Sequence, residues 1–169
     1  MNRPTLLAET ASQTAGPYVH IGLAPKAAGF DIFEKSFGNV LAQPDTPGER
    51  IAIEGRVIDG SGTPLGDVLL ELWQADSHGR YQHPADRQQR PRDEGFRGWG
   101  RACSDFQSGI WRFETIKPGA AENRMGRMMV PHVNLWIVAR GINIGLNTRM
   151  YFSDEQQANA QDPVLNLID

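Results

Sequence analysis

Glycine and proline interrupt this sequence too often for a long helix to form. Its 18 glycines and 11 prolines, among 169 residues, fall between short apolar segments and not in one low-complexity block. Punctuation of this kind predicts strands joined by turns. In residues 51–58, Ile-Ala-Ile-Glu-Gly-Arg-Val-Ile, alternation sets Ile51, Ile53, Gly55 and Val57 on one face, as a half-buried strand requires. Asp59-Gly60-Ser61-Gly62-Thr63-Pro64 is a turn signal. The chain then reverses into residues 68–75, Val-Leu-Leu-Glu-Leu-Trp-Gln-Ala, apolar enough to be a central strand covered on both sides. Residues 110–116, 132–140 and 148–152 are further strand candidates. After Phe152 a helix of about two turns is expected, with Ser153 as cap, Asp154 and Glu155 at its positive end and Pro163 as its stop.

The first 50 residues show little periodicity, and Pro4, Pro17, Pro25, Pro44 and Pro47 block regular hydrogen bonding. They read as an arm that wraps a surface or a partner. Residues 83–98 are equally irregular, and their charges suit a solvated loop. Strands without intervening helices, at this length, make an antiparallel β-sandwich the expected fold, in preference to a barrel. The expected division is therefore an arm over 1–50 and a sandwich over 51–169.

Composition excludes several function classes. With 17 basic and 20 acidic residues, the formal charge of -3 offers no field to concentrate nucleic acid or anionic lipid. The longest apolar run, 135–139, is far short of the roughly 18–20 residues of a membrane span. Near the start, Glu9 interrupts before a signal-peptide stretch develops, so the chain reads as cytoplasmic. Cys103 is the lone cysteine; it cannot form an internal disulfide, and a small buried hydrophobe is its expected state. No G-x-S-x-G elbow, phosphate loop, dinucleotide fingerprint or H-E-x-x-H occurs.

Four histidines are the metal-ligand candidates. His78 and His83 sit in loop sequence, where no rigid element fixes coordination geometry, and His20 lies in the arm, where nothing constrains it. His132 begins an apolar strand after Pro131, with Asn134 on the same face. A His-x-His pair there would chelate a metal, but Asn134 is a neutral amide and breaks it. Spacing alone makes His132 a core or interface histidine. Tyr81 follows a turn containing Gly79; it can be core filler, a hydrogen-bonding phenol or, deprotonated, a ligand for ferric iron.

Taken together, Ile53-Glu54-Gly55-Arg56-Val57, Gly62, Leu65, Leu70-Glu71-Leu72-Trp73-Gln74-Ala75-Asp76 and Gly79-Arg80-Tyr81 resemble the signature of the intradiol ring-cleaving dioxygenases. Residues 10–23, 115–119, 139–144 and 148–152 look like one branch of that family, the α-type chains of its protocatechuate-cleaving members. The resemblance implies a ferric ion held by two tyrosinates and two histidines. It also implies insertion of O2 between the two hydroxylated carbons of a bound catechol. Tyr81 stands at the first tyrosine and His132 at the first histidine of that set; Asn134 replaces the second histidine, and Ala120, Ala121 and Glu122 stand where the second tyrosine would fall. Two lost ligands of four imply no metal on this chain, and Fe(3+) on a homologous β-subunit partner in a hetero-oligomer.

By the same resemblance Gly16, Pro17, Tyr18 and Arg140 border the partner's substrate cavity. Arg140 and Tyr18 take part in the chemistry there, and Arg140 pairs with the carboxylate that protocatechuate carries. A structural hydrogen bond at a strand end is the other reading of Arg140. Two alternatives stay open: a chain binding its own iron through Tyr81, His132 and His83, and a non-catalytic prealbumin-like binding or assembly module. Family α chains continue into further strands beyond the segment near Leu165. The sandwich is therefore expected to be incomplete at its C-terminus and to lean on its partner.

Overall fold

The computed structural model describes residues 8, 10–34 and 38–168. Pro4 and the acid at Glu9, on which the leader reading rests, lie outside them. Eight strands are found among the described residues: β1 (Arg50–Arg56), β2 (Leu69–Gln74), β3 (Trp99–Cys103), β4 (Ile110–Ile116), β5 (Ala121–Glu122), β6 (Met128–Met129), β7 (His132–Val138) and β8 (Leu146–Tyr151). Strands β3-β2-β7-β8 form one antiparallel sheet, β1 and β4 a second, and β5 and β6 a short hairpin. The expected antiparallel sandwich is what forms.

The two larger sheets meet through one buried cluster. Ile53 and Phe113 from the β1-β4 pair face Leu70, Leu72, Val133 and Leu135 from the four-stranded sheet. On β1 the predicted alternation holds, with Ile51, Ile53, Gly55 and Val57 the less exposed positions. Strand β2 is central, paired with β3 on one side and β7 on the other. A buried amide stitches the layers. Gln74 of β2 donates to the Ile116 carbonyl at 2.9 Å and accepts from Thr115 Oγ1 at 2.9 Å.

The turn after β1 is built by Asp59, whose Oδ1 accepts from Ser61 N–H and Thr63 N–H, each at 2.9 Å. It carries the chain from one sheet to the other and does not close a hairpin, because β1 pairs with β4.

Four expectations need correction. Strand β3 had no counterpart among the predicted strands. His20 is not unconstrained: it is 6% exposed within the short helix α1 (Val19–Leu23), edge-on to Phe106 at 5.0 Å. The charged loop 83–98 is anchored and not merely solvated, since Phe96 is in the core and buried Asp93 takes the Asp76 carboxylate on its N–H at 3.1 Å. After Phe152 only one turn of helix forms, α2 (Gln156–Asn159), with no side-chain cap. A separate 3-10 turn, Leu165–Leu167, follows Pro163. Asp162 causes this break. Its Oδ1 accepts from Val164 N–H and Leu165 N–H, each at 2.8 Å, opening a new turn where the first would have continued.

Within the expected arm, Leu41 and Ala42 lie in the sandwich core, and Leu41 N–H donates to the Glu114 carbonyl at 2.9 Å. No described helix is long and apolar enough to cross a membrane.

Candidate functional site

Alternation along β7 sorts the candidates. Val133, Leu135 and Ile137 turn toward the core, leaving His132 and Asn134 together on the outer face of the sheet. Register supplies their neighbours: Asn134 lies between Trp73 of β2 and Arg149 of β8, and His132 lies opposite Tyr151. Tyr81 is brought to this face by a loop built on Asp76, fully buried, whose Oδ1 accepts from His78 N–H and Arg80 N–H at 2.9 Å each. Asp76 also takes Gly79 N–H and Gly119 N–H on its backbone carbonyl, which ties the loop to the Lys117-Pro118-Gly119 turn. The Tyr81 ring then stacks on Trp73, centroids 5.7 Å apart.

Tyr81 and His132, 51 residues apart in sequence, touch: the hydroxyl lies 3.1 Å from Nε2. The direction follows from the other ring nitrogen. His132 Nδ1 is 2.7 Å from the Val130 carbonyl, which only accepts, so Nδ1 carries the proton and Nε2 takes the Tyr81 O–H. Burial holds His132 below the ordinary imidazole range, keeping it neutral. Burial also raises the Tyr81 phenol above its ordinary value, against the lowering pull of a hydrogen bond from Asn134 and of the Arg149 charge. Tyr81 is therefore a phenol, not a tyrosinate.

The remaining positions are filled. Asn134 Nδ2 donates to the Trp73 carbonyl at 3.2 Å, and Oδ1 accepts from Arg149 Nε at 3.1 Å. Ala121 is buried and packs with Ala75 and Met129, and Tyr81 and Val164 pack against that cluster. Ala120 turns its carbonyl to Arg90 Nη1 at 2.9 Å. Of the other histidines, His78 and His83 are exposed. The His83 ring stands edge-on to Trp73 at 6.3 Å, and its Nδ1 accepts Ala85 N–H at 3.1 Å. Burial pushes the Cys103 thiol up to about 11, the state of an inert thiol.

The other candidates gather at the far end of the same strand. Arg140 is eight residues on from His132, which is roughly 26 Å of extended chain. Ala15 joins the arm to this end: its N–H donates to the Ile142 carbonyl, and its carbonyl accepts Gly141 N–H, both at 3.2 Å. Thr14 Oγ1 and Asn143 Oδ1 also meet. Gly16, Pro17 and Tyr18 are thereby held beside Arg140, all exposed, with Tyr18 at 74%. Arg140 Nη2 pairs with Asp67 Oδ2 at 3.0 Å while its own side chain stays largely in solvent. The structure thus makes two groups of the candidates: a closed one around Tyr81 and an open one around Arg140.

Residues 34–166 match the family described as Dioxygenase. Over 97% of its length the chain is 51% identical to a protocatechuate 3,4-dioxygenase alpha chain of Pseudomonas putida, covering 79% of that chain. The chain belongs to the intradiol dioxygenase family. A protocatechuate 3,4-dioxygenase beta chain of Burkholderia cepacia is also similar, 37% identical over 75% of this chain and 54% of that one. Among solved structures, the dioxygenase domain of a carbohydrate-binding fusion from Streptomyces sp. SirexAA-E superposes with TM-score 0.56 at 26% identity, covering 81% of this chain and 80% of that one.

Intradiol dioxygenases are iron-dependent oxidoreductases, and the residues of this member do not fit the ion. Tyr81 keeps its proton and donates it in a hydrogen bond to the nitrogen a metal would need. Asn134 has both amide ends engaged, and no second tyrosine stands by Ala120 and Ala121.

Two residues of the closed group went unsingled in the sequence. Asp162 carries no motif, and Arg149 lies in the 148–152 segment of the resemblance, where nothing marks it for a role. Alternation along 148–152 places Arg149 and Tyr151 on one face, but only the β7-β8 register reveals that the face is that of Asn134 and His132.

Proposed function

We propose that this chain is the non-iron, α-type subunit of a protocatechuate 3,4-dioxygenase, completing the active site of a homologous β chain that holds the Fe(3+). The hetero-oligomer inserts O2 between the hydroxylated carbons of protocatechuate and releases 3-carboxy-cis,cis-muconate. A chain held by packing, with one thiol, suits the reducing cytoplasm. The observation that carries the reading is the closed Tyr81–His132 pair, found in a chain that is 51% identical to an alpha chain. A member of the family whose own ligand positions are satisfied by one another contributes elsewhere.

Arg140 and the Gly16-Pro17-Tyr18 segment are the proposed contribution. They are exposed, joined through Ala15, and far along β7 from the chain's own closed group. The exposed guanidinium can pair with the substrate carboxylate in place of, or beside, Asp67, a charge-assisted bond that catechol cannot make. Tyr18 stands ready to line the same cavity.

The test is purification of this chain alone and after coexpression with a homologous chain bearing both tyrosines and both histidines. Iron and the visible tyrosinate-to-ferric absorption are expected only in the complex, together with cleavage of protocatechuate. Arg140→Gln in the complex is expected to lower kcat/KM roughly 10- to 100-fold, the worth of one charge-assisted hydrogen bond. Colour and iron in the isolated chain would overturn the reading. Full turnover after Arg140→Gln and deletion of the first 20 residues would reduce the chain to an assembly module.

A further inference from the structure

The outer face of the four-stranded sheet holds a cation for which the proposed reaction has no use. Arg149, half-buried on β8, lies directly across from Asn134 and gives its Nε–H to Asn134 Oδ1 at 3.1 Å. Its Nη1 lies 3.5 Å from Met129 Sδ, in the apolar cluster that packs on Tyr81. The same guanidinium bears electrostatically on Tyr151, Tyr81 and His132. Both retained ligand positions thus lie within the field of Arg149. Among the described residues no carboxylate forms an ion pair with it.

We infer that the Arg149 guanidinium takes the place and the charge of the family's metal ion, so that an internal cation, and not only lost ligands, keeps this chain metal-free. The inference rests on the reading of the chain as the non-iron subunit and extends it to a cause. The lone pairs that this chain could offer an ion here are those of the His132 ring nitrogen, the Tyr81 phenol and the Asn134 amide oxygen. Here the first is covered by the Tyr81 proton, and the amide oxygen is covered by Arg149 itself. Guanidinium does not lose its charge in a protein, so no change of pH vacates the position. A second cation entering this half-buried place meets a fixed positive charge at contact range, where screening by water is weak. Restoring the missing histidine is then insufficient by itself.

The experiment is a cobalt(II) titration of the isolated chain, followed by visible absorption. It reads metal binding without turnover. Asn134→His alone is expected to bind weakly. Asn134→His with Arg149→Gln is expected to bind at least about tenfold more tightly, the cation being gone. Asn134→His with Arg149→Lys keeps the charge and is expected to stay within about twofold of Asn134→His alone. Circular dichroism and thermal melting establish that each variant is folded. Should the Gln variant not fold, Arg149→Met, which keeps the volume against Met129, takes its place. Equal affinity across the series overturns the inference, as does a Lys variant that tightens along with the Gln variant. The parent reading fails by a different result, iron in the unaltered chain, so the two failures cannot be confused.

Discussion

Asp162 shows how one buried carboxylate at the edge of the closed group can fix the Tyr81–His132 pair through the backbone. It is fully buried; Oδ2 accepts Val130 N–H at 3.0 Å and Oδ1 accepts Val164 N–H and Leu165 N–H at 2.8 Å each. Val130 in turn holds His132 Nδ1 on its carbonyl, so the histidine tautomer rests on a residue pinned from the far end of the chain. Burial alone would raise the Asp162 carboxyl, but the three backbone donors outweigh it and hold it below the ordinary range. A pKa lower folded than unfolded means stability present above the unfolded value of about 3.9 and lost as pH falls through the folded one. Asp162→Asn keeps the size but turns an N–H toward one of those donors. It is expected to cost about 2–3 kcal/mol at pH 7, read as a lower urea midpoint, with the gap to the unaltered chain closing as pH falls below the ordinary carboxylate range. A gap that stays constant with pH would show that the charge contributes nothing.

At the scale of elements, the strands with clean alternation were legible and the interrupted one was not. Trp99-Gly100-Arg101-Ala102-Cys103 reads as broken at Gly100, yet it pairs in full with β2. A Cβ at Gly100 would lie 2.7 Å from the Gly38 carbonyl and 2.8 Å from Leu41 Cδ1, so the glycine is there for close approach and not to end the strand. The Tyr81 loop follows the same logic. Gly79 has φ of 80°, and a Cβ there would fall 1.9 Å from the Ala120 carbonyl. Backbone contact with Ala120 is what brings the Gly119 turn against the loop that presents Tyr81. Gly79→Ala is therefore expected to destabilise the chain by more than about 3 kcal/mol, measured by denaturant titration. A cost below about 1 kcal/mol would mean that the loop and the turn move freely against each other. The Tyr81–His132 contact itself was half legible: the resemblance marks both positions, but their closure on each other depends on which nitrogen carries the proton, and that is decided by Val130.

For the whole molecule, the length of β7 separates what holds this chain together from what it offers a partner. The closed group at the His132 end is buried or half-buried and satisfied internally. The Arg140 end is open, and its Asp67 pairing has one side chain 61% exposed. Asp67 is itself only 8% exposed, so Arg140→Gln strips a buried carboxylate of its charged partner and is expected to cost the isolated chain about 1–3 kcal/mol, read by denaturant titration. Groups roughly 26 Å apart with no shared partner also have no means of coupling. The double variant Arg140→Gln with Gly79→Ala should accordingly lose the sum of the single losses within about 0.5 kcal/mol, by denaturant titration at one pH. A loss well away from the sum would mean that strain at the Tyr81 loop travels along β7 to the arm, making the two ends one site. Additivity, joined to a large effect of Arg140→Gln on turnover in the complex, would show that the Arg140 end serves the partner's chemistry independently of the Tyr81 end.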